Sequence, residues 1–326
     1  MMTSSWRLCR TVSCAALLSM AANAWAQAWP GKPLTIVSPY PAGGITDILS
    51  RTVGEELSKA LGQPVLVENR VGAGGAIAMS YTAKAAPDGY TLVMGGSAPT
   101  AILPALNPRA GYDPLKDFEP VAYVAALPIV LVAHPSLPAS TLKELIAYAK
   151  AHDGTLNCAH HGAGTGTHLA CVQFARVTGT RITDVAYKGA PQVNLDLLTN
   201  RVQLYFGTLP TQIGYIRTGQ LKAFGVASAE RVASVPEVPT LEEQGLPGMN
   251  LDTWNALYAP AGTPRAIVVR LNSEVVRILQ LPEVRRKIEA TGSIVRTGPP
   301  EQLRKLTAEQ FETYRKLGVE ANIRLD

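Results

Sequence analysis

Short apolar runs alternate with amphipathic segments along the first part of the chain. Residues 34–38 form a largely apolar run typical of a buried strand, and apolar residues then recur at helical spacing from Ile48 to Leu57. Two further runs of strand type, 65–67 and 90–94, lie on either side of a small-residue helix that opens at Gly72. This alternation of strand and helix predicts a parallel sheet with helices packed on it.

A second series of strand and helix patterns begins near residue 142. The expected helices are 142–151, 167–178 and 191–200, and the expected strands are 155–159, 182–187, 202–206 and 221–227. Two helical segments, 264–287 and 300–318, complete the chain. The pattern therefore predicts an α/β protein with two separate groups of elements.

Two segments are long enough to join these groups. Residues 121–134 would carry the chain out of the first group, and residues 254–260 would carry it back. We therefore expect lobe 1 to comprise residues 27–128 and 251–326, and lobe 2 to comprise residues 129–250. Two lobes joined by two crossings leave a cleft between them, which is a favoured place for a small-molecule site.

The first residues have the pattern of a secretory signal peptide. Two arginines precede an uncharged apolar run over residues 12–22, and small residues then supply two cleavage sites. The apolar run is well short of the ~20 residues that a membrane-spanning helix needs. We predict a signal peptide over residues 1–26, with cleavage after Ala26 or Ala28, and export to the periplasm of a bacterium.

Composition narrows the range of partners. Hydrophobic residues make up 47% of the chain, which is ordinary for a folded globular protein, whereas charged residues make up only 17%. The formal net charge is +5, and loss of the predicted signal peptide would lower it to about +3, dispersed along the chain. Because the charge is small and only 6% of the residues are aromatic, no nucleic acid is expected as a partner.

Two cysteines, Cys158 and Cys171, remain after the predicted cleavage. In an oxidising compartment such a pair forms a disulfide or stays as two buried thiols, and the disulfide is the favoured interpretation. Their separation of 13 positions excludes a CxxC redox or zinc motif.

Two glycine-rich loops carry the strongest functional signal. Loop 1 (residues 40–47) and loop 2 (residues 161–168) each follow a predicted strand and open a predicted helix. A helix start offers unpaired N–H groups and the positive end of the helix dipole, and glycine lets a ligand approach the backbone closely. One loop from each lobe would then hold a carboxylate from both sides of the cleft, although plain tight turns would give the same pattern. The candidate ligand residues are Tyr40, Ala42, Gly43, Gly44, Thr46, Asp47, His161, Gly162, Ala163, Gly164, Thr165, Gly166, Thr167 and His168.

Side chains at the end of loop 1 have several possible roles. Thr46 or Asp47 is expected to cap the helix that follows the loop. Asp47 also precedes Arg51 by four residues, so the two would form a salt bridge on one helix face. The Asp47 carboxylate would in addition orient N–H groups of loop 1 or, alternatively, bind a ligand amine.

Neither a metal site nor a catalytic group is predicted. Four of the five histidines lie within residues 152–168, but the companion ligands of a metal site are missing at the required spacing, so we expect no metal and no cofactor. His161 and His168 are instead expected to border loop 2. Ser97 does not lie in a GxSxG motif, and paired cysteines are not nucleophiles, so we assign no catalytic residue and do not expect an enzyme.

A set of short motifs recurs in a fixed order along the chain. They are Trp-Pro-Gly-Lys-Pro-Leu-Thr-Ile-Val (29–37), Pro-Ala-Gly-Gly (41–44) with Asp47, Glu-Asn-Arg (68–70) followed by Gly-Ala-Gly-Gly (72–75), Pro-Asp-Gly-Tyr-Thr-Leu (87–92), Asp-Phe-Glu-Pro-Val (117–121), Tyr-Lys-Gly (187–189), and Val-Pro-Glu-Val-Pro-Thr-Leu (235–241) with Glu243 and Gly245. In this order, from residue 29 to the C-terminus, the chain resembles the solute receptors of tripartite tricarboxylate transporters, also called the Bug (Bordetella uptake gene) family.

The resemblance implies a type II periplasmic binding fold, in which two α/β lobes close on a ligand in the cleft between them. It also implies that backbone N–H groups of loops 1 and 2 hold a ligand carboxylate, with ordered waters helping. The rest of the pocket would come from Ser97, from Gly189 and Ala190, and from residues after the strand ending at Phe206, such as Gly207. This chain departs from the family pattern near the pocket, at His160, His161 and the two cysteines.

The resemblance also implies a function and partners. We expect a periplasmic receptor, active as a monomer, that captures a small carboxylate: a dicarboxylate, a tricarboxylate, an amino acid or an aromatic acid. Its partners would be a large and a small integral membrane protein of a secondary transporter. Two alternatives are a ligand-dependent sensor for a signalling protein and an exported hydrolase that uses the same cleft.

Overall fold

The structure, a computed structural model, describes residues 29–162, 164–187, 189–320 and 323. The predicted signal peptide and Ala163 lie outside the described residues. Across the described ranges, none of the helices is long and apolar enough to cross a bilayer.

Two separate β-sheets organise the described chain. The first has six strands in the order β11-β4-β10-β3-β1-β2, and the second has five in the order β7-β6-β8-β5-β9. The strands are β1 (Leu34–Ser38), β2 (Val65–Asn69), β3 (Thr91–Gly96), β4 (Phe118–Leu127), β5 (Ile129–Ala133), β6 (Asn157–His160), β7 (Thr183–Ala186), β8 (Leu204–Thr208), β9 (Lys222–Val226), β10 (Thr253–Pro260) and β11 (Ile294–Val295).

Helices connect these strands and pack on the sheets. They are α1 (Ile45–Leu61), α2 (Ala76–Ala83), α3 (Leu103–Leu106), α4 (Leu142–Ala151), α5 (Gly166–Thr178), α6 (Ala190–Leu198), α7 (Leu209–Arg217), α8 (Arg265–Gln280), α9 (Pro282–Glu289) and α10 (Pro300–Glu320). The predicted helix over 264–287 is two helices, because Pro282 has no N–H to continue α8 and instead begins α9.

The first sheet combines parallel and antiparallel pairing. Strand β1 pairs in parallel with β2 and with β3, as the alternation of strand and helix predicted. Strand β10 lies between β3 and β4 and is antiparallel to both. The expectation that residues 254–260 form the returning crossing is therefore wrong. This segment is apolar because it is a central strand, buried from Trp254 to Pro260.

The chain crosses between the sheets at Pro128. Leu127 ends β4 in the first sheet and Ile129 begins β5 in the second, within the predicted crossing segment. On the return, the Thr253 hydroxyl donates to the Leu127 carbonyl over 2.9 Å. The outgoing and returning chains therefore lie side by side.

Each sheet has its own apolar core. In the first, Leu49, Val53 and Leu57 of α1 are fully buried against the sheet, as their helical spacing predicted. In the second, Phe174 of α5 packs on Phe206 of β8. Fully burying side chains of this size stabilises the fold by about 1.5–3 kcal/mol each.

A smaller apolar cluster joins the two halves of the molecule. Leu169 of α5, from the half that contains the second sheet, packs with Ile102, Tyr314 and Leu317 from the other half. The start of α5 is consequently held close to the segment that follows β3.

Candidate functional site

Loop 1 leads from β1 into α1 and leaves backbone donors free. Gly44 is the N-cap residue of α1, and no side-chain hydrogen bond caps this helix. The predicted capping by Thr46 or Asp47 is therefore wrong, because both residues lie inside the first turn. Gly43 is exposed, has a φ of +82°, and has open space where a Cβ would stand. The N–H groups of Ile45 and Thr46 form no hydrogen bond with any described residue. Loop 1 therefore has the free donors of a helix start.

Asp47 holds loop 1 in place. Its carboxylate accepts hydrogen bonds from the Gly43 N–H (2.9 Å), from Asn69 Nδ2 (2.9 Å) and from Arg51 Nε (3.0 Å). Burial alone would raise the pKa of Asp47, but these hydrogen bonds and the charge of Arg51 lower it below its ordinary value. The side chain is only 3% exposed, and both of its oxygens accept hydrogen bonds that orient loop 1.

Loop 2 leads from β6 into α5, and two of its N–H groups are occupied by histidines. The Gly162 N–H donates to His160 Nδ1 over 3.1 Å, and the Gly164 N–H donates to His168 Nδ1 over 3.2 Å. The sequence placed His168 at the edge of this loop but gave His160 no role. These two N–H groups are turned towards the imidazole rings.

The hydroxyls of loop 2 are used within the loop. Thr165 is the N-cap of α5: its Oγ1 accepts from the His168 N–H and donates to the Gly162 carbonyl over 2.8 Å. Thr167 Oγ1 accepts from the His161 N–H over 3.0 Å. The N–H groups of Gly166 and Thr167 remain without a hydrogen bond to any described residue. They are the donors that loop 2 can offer.

A disulfide closes the base of loop 2. Cys158 lies on β6, before the loop, and Cys171 lies on α5, after it, and the two are bonded with their Cα atoms 6.2 Å apart. Of the two states that the sequence left open, a disulfide or two buried thiols, the structure has the disulfide.

The two loops meet at neighbouring positions of β10. Asn255 Nδ2 donates to Thr46 Oγ1 at the start of α1, over 3.1 Å. At the start of α5, a Cβ on Gly166 would lie 2.5 Å from Thr253 Cγ2. Because side chains two apart on a strand point to the same face, Thr253 and Asn255 bring both helix starts to one side of β10. The starts of α1 and α5 therefore lie against the same side of β10.

Both the sequence and the fold of this chain match known proteins. A family model described as "Tripartite tricarboxylate transporter family receptor" matches residues 49–323. The chain belongs to this family. The chain is 37% identical over 300 residues to the protein BugT of Bordetella pertussis, and the match covers 92% of each chain.

Solved receptors have the same periplasmic binding fold, with two α/β lobes. An R. palustris protein solved with adipate is 33% identical, with a TM-score of 0.83, and the match covers 91% of this chain and 99% of that one. MatC from Rhodopseudomonas palustris, solved with bound malate, is 35% identical, with a TM-score of 0.79 over 89% of this chain and 99% of that one. The type II periplasmic binding fold expected from the motifs is thereby confirmed.

The further residues predicted for the pocket lie on three different elements. Ser97 is buried at the start of the π-helical segment Ala98–Ile102, which packs near α5. Gly189 is the N-cap of α6, and Ala190 is its first residue. Strand β8 does not end at Phe206 but continues to Thr208, so Gly207 lies inside the strand. A Cβ on Gly207 would overlap Tyr205 and Gln212, which explains the glycine by packing.

Apart from Asp47, which is paired with Arg51, the side chains of the two loops are neutral. Burial, with a smaller effect from His160, lowers the pKa of His161 to about 4, and the same two causes lower that of His168 to about 4. His161 Nε2 is hydrogen bonded to the Tyr205 hydroxyl, whose pKa burial raises. Since neither loop contains lysine or arginine, an anion here would be held by N–H dipoles and neutral side chains.

Sequence reasoning missed the residues that assemble the site from a distance. Thr253 and Asn255 carried no local signal, because they stand in an apolar run. Two surface cavities, of about 540 and 710 Å³, are lined by other residues, at Arg181 and at Arg51 respectively. The candidate site is therefore defined by the geometry of the loops.

Proposed function

We propose that the chain is a periplasmic receptor that binds a small carboxylate between its two lobes and delivers it to a tripartite tricarboxylate-type secondary transporter. The observation that carries this proposal is the meeting of two helix starts, one from each lobe, at Thr253 and Asn255. Each start has free N–H groups and the positive end of a helix dipole.

The chemistry of the site favours an acid as the ligand. Carboxylate oxygens can accept hydrogen bonds from the free N–H groups of Ile45, Thr46, Gly166 and Thr167. Neither loop contains a lysine or arginine that would bind these oxygens instead. Two relatives were solved with adipate and with malate, both dicarboxylates. We therefore propose a dicarboxylate as the first class to test.

Binding would close the two lobes. The side-by-side chains at Pro128 and Thr253 are the place where the angle between the lobes can change. Closure would bury the carboxylate against the helix starts of both loops, and the closed shape would be the form that a membrane partner recognises. The proposed export to the periplasm rests on the signal-like leader and on the family.

An enzymatic role has no support among the described residues. Cys158 and Cys171 are bonded to each other, so neither is a free nucleophile. The hydroxyl of Ser97 has no histidine hydrogen bonded to it in the described chain. A sensor role uses the same binding step, and a ligand-dependent pull-down that captures a signalling protein would distinguish it from uptake.

Titration calorimetry on the mature chain tests the proposal. Malate, adipate, citrate, aspartate and benzoate would be titrated, with X-ray scattering of the free and saturated protein. We expect heat of binding with at least one acid, and a smaller radius of gyration when it is bound. Absence of binding by every acid, with a folded protein, would contradict the proposal.

A further inference from the structure

Three polar side chains of lobe 2 converge behind loop 2. His160 ends β6, His168 lies in the first turn of α5, and Asp184 lies on the neighbouring strand β7. His160 Nε2 is 3.3 Å and His168 Nε2 is 4.0 Å from Asp184 Oδ2, and the two imidazole rings are 4.5 Å apart. Both histidines are buried, whereas the Asp184 side chain is 57% exposed.

The backbone of loop 2 determines which ring nitrogens carry protons. An amide N–H can only donate, so each Nδ1 that faces Gly162 or Gly164 must offer its lone pair. A neutral imidazole with a bare Nδ1 carries its proton on Nε2. The His160 Nε2–H then donates to Asp184 Oδ2 over 3.3 Å, and the His168 Nε2–H lies 4.0 Å from the same oxygen.

This protonation pattern opposes a metal ion. One ring nitrogen of each histidine and an Asp184 oxygen lie within 4.8 Å of one another, close enough to be considered as metal ligands. A metal bound at Nε2 would displace the proton to Nδ1, which would then face the N–H of Gly162 or Gly164. Loop 2 would have to unfold from its present conformation before a metal could bind.

We propose that His160 and His168 are positioning residues for ligand binding, which hold the Gly162 and Gly164 N–H groups away from the ligand and leave Gly166 and Thr167 as the donors of loop 2. Asp184 accepts from His160 Nε2 and keeps that ring in the Nε2–H form. The part of this inference that concerns ligand affinity rests on the proposed function, but the loop geometry does not.

Acid should release this arrangement. Protonation of His168 at Nδ1 replaces an acceptor with a donor and breaks the bond from the Gly164 N–H. The titratable groups near the pair are Asp184 on β7 and His161 in loop 2, which is hydrogen bonded to Tyr205 on β8. Arg176 lies at the far end of α5, paired with Glu320. Of these, Asp184 favours the charged form of His168.

Nitrogen NMR of histidine-labelled protein tests the geometry without any ligand. At neutral pH we expect His160 and His168 to show a bare Nδ1 and a protonated Nε2, unchanged by added Zn²⁺. Protonation at Nδ1, or transfer of these signals to a zinc-bound form, would overturn the proposal.

Two pairs of substitutions separate positioning from packing. In His160→Asn/His168→Asn, the amide oxygen takes the place of Nδ1 and still accepts from the glycine N–H groups, whereas Gln at both positions places its amide near Nε2. We expect the Asn pair to bind malate or adipate within about threefold of wild type, and the Gln pair to bind about tenfold more weakly. Equal losses in the two pairs would contradict the proposal. His152→Gln, at an exposed position, is the control.

If neither malate nor adipate binds, hydrogen exchange of the loop 2 amides still tests the role of His160 and His168. The Gly162 and Gly164 amides should be protected in wild type and in the Asn pair, and should exchange about tenfold faster in the Gln pair. Fast exchange of both amides in wild type would overturn the inference, whatever becomes of the proposed function.

Discussion

Asn255 donates a hydrogen bond to the Thr46 hydroxyl over 3.1 Å, although the two residues are 209 positions apart in the chain. The same Nδ2 atom also reaches the Gly95 carbonyl, over 3.2 Å. The returning strand β10 thereby fixes the start of α1, where loop 1 ends. Two positions earlier, Thr253 contacts Gly166 at the end of loop 2. One strand thus sets the relative position of the two loops.

Removal of the Asn255 amide should destabilise the fold and weaken binding together. Asn255→Ala leaves the buried Thr46 hydroxyl without its donor, so we expect a loss of about 1–3 kcal/mol in the free energy of unfolding. Urea denaturation measures this loss, and calorimetry with the bound acid measures affinity. Asn250→Ala, at an exposed position, is the control, and an equal effect there would contradict the assignment.

The contact between Gly166 and Thr253 can be tested by introducing a steric clash at Gly166 and then removing it at Thr253. In Gly166→Ala the new Cβ would lie 2.5 Å from Thr253 Cγ2, so we expect a loss of about 1–3 kcal/mol in unfolding free energy. Thr253→Ser removes that methyl group but keeps the hydroxyl that bonds to Leu127. The double variant should recover most of the stability. If Thr253→Ser gives no recovery, the two residues are not in contact as described.

The disulfide should stabilise loop 2 and the lobe around it. It closes a segment of 13 positions, and a loop of this length is worth about 3 kcal/mol. We expect Cys158→Ala/Cys171→Ala to lower the unfolding free energy by roughly that amount. Wild type under reducing conditions should match the double variant, and the double variant itself should not respond to reductant. A wild-type melting curve that ignores reductant would contradict this prediction.

Asp252 predicts a pH dependence of stability. Its Oδ1 is shielded and has no hydrogen-bond partner among the described residues, and burial raises its pKa to about 7 despite the nearby Arg296. The unfolded chain has the ordinary pKa of about 3.9, so stability should fall between about pH 4 and 7 as the unfolded state releases its proton first. The full penalty applies above pH 7.

Asp252→Asn removes this penalty. We expect the variant to be more stable than wild type by about 1–3 kcal/mol near pH 8 and nearly equal to it near pH 4, as measured by urea denaturation. Asp153→Asn is the control of opposite sign, because Arg181 lowers the pKa of that carboxyl. A gain at Asp252 that is independent of pH would show that the carboxylate is not the cause.

Local patterns predicted the parts of this site that are themselves local. Glycines between a strand and a helix identified both loops, and the spacing of Asp47 and Arg51 identified their ion pair. The bonds from Gly162 and Gly164 to ring nitrogens could not be predicted, because the ring orientation depends on Asp184 on another strand.

The role of strand β10 also could not be predicted from the local sequence pattern. Its apolar run fits both a buried strand and a crossing, and periodicity does not distinguish them. Only its pairing with β3 and β4 makes Thr253 and Asn255 face the loops.

The most direct test of the receptor account follows the backbone amides of both loops during one titration. Labelled protein would be titrated with the acid that binds, and the signals of Ile45 and Thr46 in loop 1 would be compared with those of Gly166 and Thr167 around the start of α5. The account predicts that both sets shift with one dissociation constant, because one carboxylate ligand touches both lobes. Shifts confined to one loop, or two different constants, would contradict it.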